Sequence, residues 1–148
     1  MGASESESIV LSNDLQELER LAAFIRSLAV TFDIDEKSLF QLNLVCDELV
    51  TNIILYGYPS SENRMHEIRL DVGQNLTGWE LRLTDRGIPF NPLLKAAPRT
   101  DLTIEDRGIG GLGIHFVRQV MDELIYERLN GENILMMTKN RMKEEGVS

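Results

Sequence analysis

A two-layer α/β sandwich, with helices packed on a mostly antiparallel sheet, is the α+β fold that this sequence predicts. Three observations carry that expectation. Two stretches in the first 56 residues repeat apolar side chains at helical spacing. Two pairs of alternating segments are each joined by a short turn rich in Asn and Gly. A third helical stretch falls between those hairpins, and no Pro-, Gly- or Ser-rich linker divides the chain.

Taken in order, Ser8 to Ser12 (SIVLS) reads as a short edge strand. Ser12 or Asn13 can cap a helix from Asp14 to about Thr31, where Leu15, Leu18, Leu21, Ala22, Ile25, Leu28 and Ala29 form one face. Asp33 or Asp35 can cap a second helix running to about Tyr56, with Leu39, Leu42, Val45, Leu49, Ile53 and Ile54 as its apolar stripe. Gly57 stands where a helix-ending glycine belongs, and Pro59 stops continuation. Glu67 to Gly73 and Trp79 to Thr84 alternate as half-buried strands about the turn Asn75-Leu76-Thr77-Gly78. Asp85 to Arg107 holds three of the four prolines and has little periodicity, so it reads as a long loop of functional character. A glycine cluster, Gly108 to Gly113, precedes a helix from about Ile114 to Met121. Strands Leu124 to Leu129 and Ile134 to Lys139 flank Asn130-Gly131-Glu132-Asn133.

The 148 residues correspond to one domain. Residues 9–141 are expected to form it, with a disordered tail over 1–8 and a flexible one over 142–148. With 43% apolar residues the chain can bury a core without metal or disulfide staples. No run of about 18 apolar residues marks a membrane span, and the Ser/Glu-rich start has no secretory pattern. The single cysteine, Cys46, cannot form an internal disulfide, which fits a reducing, cytoplasmic location. A net charge of −9 argues against direct nucleic-acid binding. The charge is uneven: residues 1–60 hold ten acids and three bases. That half is either a solvated helical surface or a docking face for a basic partner.

Three groups of residues can carry chemistry. Glu48 and Asn52 lie four apart on the second helix and share a face beside the apolar stripe. A carboxamide oxygen can ligate Mg²⁺ held by phosphates, and a carboxylate can orient or deprotonate a nucleophile; such a pair alone is also an ordinary solvated pair. Asp85-Arg86-Gly87-Ile88-Pro89-Phe90 directly follows a strand. Asp85 can accept a hydrogen bond from an exocyclic amine, and Gly87 lets a flat ligand approach the backbone; a plain proline-closed turn has the same composition. Gly108-Ile109-Gly110-Gly111-Leu112-Gly113 puts four glycines in six residues before a helix. Its amides and the positive end of the helix dipole suit phosphate, and Arg107 can neutralise phosphate charge. The pattern is not a dinucleotide fingerprint, because Thr103-Ile104-Glu105-Asp106-Arg107 is no hydrophobic strand. Val-Ala-Ile-Lys, His-Arg-Asp and Gly-Lys-Ser/Thr signatures do not occur.

In combination and order, these motifs resemble the ATP-binding domain of the GHKL superfamily (gyrase, histidine kinases and MutL among them), whose architecture is the Bergerat fold. Within it the chain is most similar to the small anti-sigma-factor serine kinases of the RsbW and SpoIIAB type, over about residues 10–140. Glu48 and Asn52 match the N box, Asp85 and Gly87 the adenine box, and Gly108, Gly110, Gly111 and Gly113 the phosphate-binding lid. The resemblance implies ATP and Mg²⁺ as cofactors. Asn52 would hold the metal, Asp85 and Gly87 the adenine, and Arg107, the four glycines and Leu112 the phosphates. Glu48 would be the base acting on a serine or threonine hydroxyl of a partner protein. The implied partners are a STAS-domain anti-anti-sigma protein and a sigma factor, and copies of the chain could pair through the first helix and the N-terminal strand. The alternative is a non-catalytic switch of the same fold, in which ATP orders the segment from Pro89 to Gly113 and so makes or hides a partner surface. One departure from many relatives is Tyr56, which replaces a His before Gly57-Tyr58.

The remaining candidates have structural readings. His66 and His115 have no companions at zinc spacing. Cys46, Trp79, Met136 and Met137 fit packing positions.

Overall fold

The computed structural model describes residues 5–58, 65–94 and 111–141. Its sheet has five strands: β1 (Glu5–Ser12), β2 (Glu67–Gln74), β3 (Gly78–Asp85), β4 (Glu123–Leu129) and β5 (Glu132–Asn140). They lie in the order β1-β2-β3-β5-β4, and every neighbouring pair is antiparallel. Among the described residues the α-helices are α1 (Leu18–Thr31), α2 (Glu36–Tyr56) and α3 (Gly111–Val120).

Alternation along the strands sends one set of side chains to the helices. Ile68, Leu70 and Val72 of β2 stand beside Trp79, Leu81 and Leu83 of β3, and these beside Leu135 and Met137 of β5. The core closes when Leu21, Ile25 and Leu28 of α1, the stripe of α2, and Ile114 and Val117 of α3 cover that face. Cys46 and Trp79 are buried in it, as their positions in the pattern implied. By length and composition alone α2 could cross a membrane (mean hydropathy 1.3); Leu42, Val45, Leu49, Val50 and Ile54 lie in this core, whereas Phe40, Leu44 and Leu55 are exposed.

Several boundaries differ from the expected ones for local reasons. Residues 5–8 do not belong to a disordered tail; they extend β1, pairing from Glu5 opposite Gln74 to Ser8 opposite Asp71. Their side chains are exposed, so periodicity carried no sign of them; the edge of β2 recruits their backbone. Residues 1–4 and 142–148 lie outside the described residues. Asp14 caps a single 3-10 turn, Leu15–Glu17, by accepting from the Gln16 amide at 2.9 Å, and α1 proper begins only at Leu18. Asn13 is not the cap. It is fully buried, and its Oδ1 accepts from the His66 amide at 3.1 Å, which ties the β1 exit to the approach to β2. Of the two aspartates before α2, Asp35 is the cap, accepting from the Ser38 amide at 2.9 Å. Asp33 instead takes a left-handed φ of 50°, which Asp tolerates. Both expected turns form. Asn130 and Gly131 have positive φ values of 52° and 79°, the pair that a tight two-residue hairpin requires.

Candidate functional site

The site begins where α2 passes over the Asp85 end of β3. Because 3.6 residues make a turn, Glu48 and Asn52 emerge together, one turn apart, beside the buried Leu49 and Val50. The Asn52 Nδ2 donates to Glu48 Oε2 at 2.9 Å. Asn52 is only 8% exposed. Its Oδ1 accepts no hydrogen bond among the described residues.

Asp85 is the last residue of β3 and is 5% exposed. Its Oδ1 accepts from the Gly87 amide at 2.8 Å and from Asn133 Nδ2 at 3.1 Å, while Oδ2 accepts no hydrogen bond among the described residues. Burial raises the Asp85 carboxyl above its usual range, against the hydrogen bonds from Asn133 and Gly87 and the charge of Arg128. A buried carboxylate at the base of a cleft is a costly arrangement for stability alone. The following loop folds back onto the end of α2. The Ile88 amide donates to the Gly57 carbonyl at 2.9 Å. A Cβ on Gly87 would stand 2.6 Å from that carbonyl oxygen and 3.0 Å from Asp85 Oδ1, so only glycine fits. Gly57 itself ends α2 with a right-handed φ of −73°. It does not use a left-handed cap; its carbonyl is the dock for the loop.

These elements enclose a cleft of ≈ 580 Å³, counted out to its open mouth. Leu49, Asn52, Ile53 and Tyr56 of α2 form one wall, Leu83, Asp85, Asn133 and Leu135 of the sheet form the base, and Ile88, Phe90 and Pro92 close the side. An apolar slot with a few convergent polar groups is what a flat heteroaromatic ligand needs. Asp85 Oδ2 can take its amine, and the bare backbone at Gly87 allows close approach. Among the described residues no three His, Cys, Asp or Glu side chains come together to hold a metal. One neutral oxygen, that of Asn52, would bind Mg²⁺ only alongside phosphate oxygens. The donor set therefore fits a nucleotide-borne cation rather than a resident one.

Of the remaining candidates, Arg107, Gly108 and Gly110 lie outside the described residues. Gly111, Leu112 and Gly113 form the first turn of α3, which begins three residues before the expected Ile114. Their backbone amides are among those that an α-helix leaves unsatisfied at its start.

One residue central to the site did not stand out in the sequence. Asn133 lies directly opposite Asp85 in the β3–β5 register and is 6% exposed. Its Nδ2 also donates to the Ile88 carbonyl at 2.8 Å, while its Oδ1 accepts from the Phe90 amide at 3.2 Å and from the Tyr126 hydroxyl. Arg128, next in the same cross-strand row, donates to the Gly87 carbonyl at 2.8 Å. The place of Asn133 in the expected Asn130–Asn133 turn hides it. The available signal was its phase: it alternates with Leu135 and Met137 on the buried face.

Comparison with known proteins agrees with this geometry. Residues 11–139 match the histidine kinase-like ATPase domain family (HATPase_c_2). The chain is 28% identical over 109 residues to the serine/threonine-protein kinase BtrW of Bordetella bronchiseptica, covering 71% of this chain and 72% of that one. It is 27% identical over 122 residues to an anti-sigma F factor of Priestia megaterium, covering 82% and 80%. Among solved structures, that of the RsbU and RsbW domains of a Mycobacterium tuberculosis protein superposes with a TM-score of 0.62 at 14% identity. That match covers 97% of this chain but only 35% of the larger one, and it speaks for the fold. With the motifs, the antiparallel sheet and the cleft in agreement, the chain belongs to the histidine kinase-like ATPase domain family.

Proposed function

We propose that the protein is an ATP-dependent serine/threonine protein kinase of the anti-sigma type, which phosphorylates a STAS-domain anti-anti-sigma partner and can sequester a sigma factor. The observation that carries the nucleotide part is Asp85, a buried carboxylate with one open oxygen at the base of an apolar slot. Asp85 Oδ2 accepts from the adenine amine, and Gly87 admits the ring edge. Bound Mg·ATP supplies the transferable phosphoryl group and the charge that neutralises it. Asn52 Oδ1 would hold the nucleotide-borne Mg²⁺, while its Nδ2 is held on Glu48. The open amides of Gly111, Leu112 and Gly113, with Arg107, Gly108 and Gly110 before them, receive the phosphates. Glu48 Oε1, free of the Asn52 bond, takes the proton from the incoming serine or threonine hydroxyl. The names of the relatives, a serine/threonine kinase and an anti-sigma F factor, support both halves of this reading.

The test is transfer of labelled γ-phosphate from Mg·ATP to a candidate STAS-domain partner protein. Glu48→Gln should lower transfer by about 10²–10⁴-fold while ATP still binds. Transfer by the variant at the wild-type rate would remove Glu48 from the base role. Tight ATP-dependent partner binding without any phosphoprotein would favour the non-catalytic switch.

A further inference from the structure

Both helices that bear the site motifs converge, at the end of the sheet away from Asp85, on one buried amine. Lys139 lies on β5 opposite Trp79, on the inner face, three pairings along that face from the Asp85–Asn133 pair. It is 9% exposed. Its Nζ donates to the carbonyl of Val120, the last residue of α3, at 3.3 Å. The chain beyond is held in the same place. The Met121 amide closes on Val117 at 3.0 Å, the Asp122 amide on the Thr138 carbonyl at 2.8 Å, and the Asn140 amide on Asp122 Oδ2 at 2.6 Å.

We infer that Lys139 is a positioning residue for the phosphate end of the nucleotide: by capping the final carbonyl of α3 from inside the core, it seats the helix whose first turn is Gly111–Gly113. This rests on the proposed nucleotide site. Packing alone does not call for an ammonium here, since burying one costs free energy that an apolar side chain would not. The end of α3 does call for it, because unpaired carbonyls and the negative end of the helix dipole attract a cation. A second charge faces the same amine. Burial works against the Asp35 carboxylate that caps α2, but the hydrogen bonds from Ser38 and the positive charge of Lys139 hold it below its usual range. Lys139 thus lies between the start of the helix that carries Asn52 and the end of the helix that carries the glycines. A ten-residue helix is a rigid rod of about 15 Å, so what fixes its last carbonyl also fixes its first amides.

The experiment compares wild type with Lys139→Met, which keeps the aliphatic stem and removes the amine. Calorimetry measures affinity for adenosine and for Mg·ADP and Mg·ATP, with thermal unfolding recorded separately. The expected result is adenosine affinity within about twofold of wild type and about tenfold weaker binding of both phosphorylated ligands. Equal losses for adenosine and ATP, or no loss for either, would overturn the inference and leave Lys139 a packing residue. Wild type that binds neither ligand would overturn the nucleotide reading itself, which is a separate outcome. If Lys139→Met does not fold, Lys139→Arg keeps the charge but lengthens the reach, and the same selective loss is expected of it.

Discussion

Replacing Asn133 by alanine tests whether one carboxamide organises the adenine end of the cleft. The side chain has two donor and two acceptor positions, and all four are in use: toward Asp85, Ile88, Phe90 and Tyr126. A neutral bond contributes about 1 kcal/mol net and one to a charged group about 1.5–3 kcal/mol, so the gross loss is about 4.5–6 kcal/mol. The Tyr126 hydroxyl and the Ile88 backbone border the open cleft and can turn to water, which recovers part of it. A net loss of about 2–3 kcal/mol is therefore expected by urea unfolding, with an unchanged m-value. The loop keeps three other attachments, at the Gly87 amide, the Ile88 amide and the Gly87 carbonyl, so the fold survives. Adenosine affinity should fall at least about tenfold, because Asp85 loses one of its two donors and the loop two of its anchors. A stability change under about 0.5 kcal/mol together with unaltered adenosine affinity would refute the reasoning. Asn133→Asp sharpens the test. It sets a second carboxylate against Asp85 and raises both carboxyls, so its deficit should be largest at neutral pH and shrink where both are protonated in the folded and unfolded chain, leaving the loss of one of the two donors.

Other consequences follow from the same geometry. Asp85→Asn should abolish adenosine binding yet stabilise the free protein at pH 7. Burial raises the Asp85 carboxyl, so ionisation works against the fold above that raised value and not below the unfolded carboxyl pKa of about 4; melting curves at the two pH values should diverge and then merge accordingly. Gly87→Ala places a methyl 2.6 Å from the Gly57 carbonyl oxygen. The loop must move, at a cost of about 1–3 kcal/mol in thermal or urea unfolding, and adenosine affinity should drop with it. Burial, with a smaller effect from Asp47, pushes the Cys46 thiol up to about 12. Iodoacetamide at pH 8 should leave the native protein unlabelled and modify it only on unfolding, as mass spectrometry would report.

The sequence by itself determined what depends on neighbours along the chain. Glu48 and Asn52 share a helix face because they are four residues apart, Asp35 caps because its side chain reaches the next turn, and Asn130-Gly131 turns because those residues accept positive φ. The strand alternation likewise named the core face of the sheet, and the spaced motifs named the family. Only the tertiary structure decided what depends on register between distant strands. Asn133 meets Asp85 across 48 residues of chain, Gly87 is confined by a carbonyl at the end of α2, and Lys139 reaches the end of α3 through the core. Residues 5–8 became strand for the same reason, since their polar side chains held no pattern and the edge of β2 supplied the partners. Local periodicity encodes which side of an element is apolar. The few polar groups kept on that side acquire meaning only when packing sets them opposite one another in a medium where an unpaired dipole is costly.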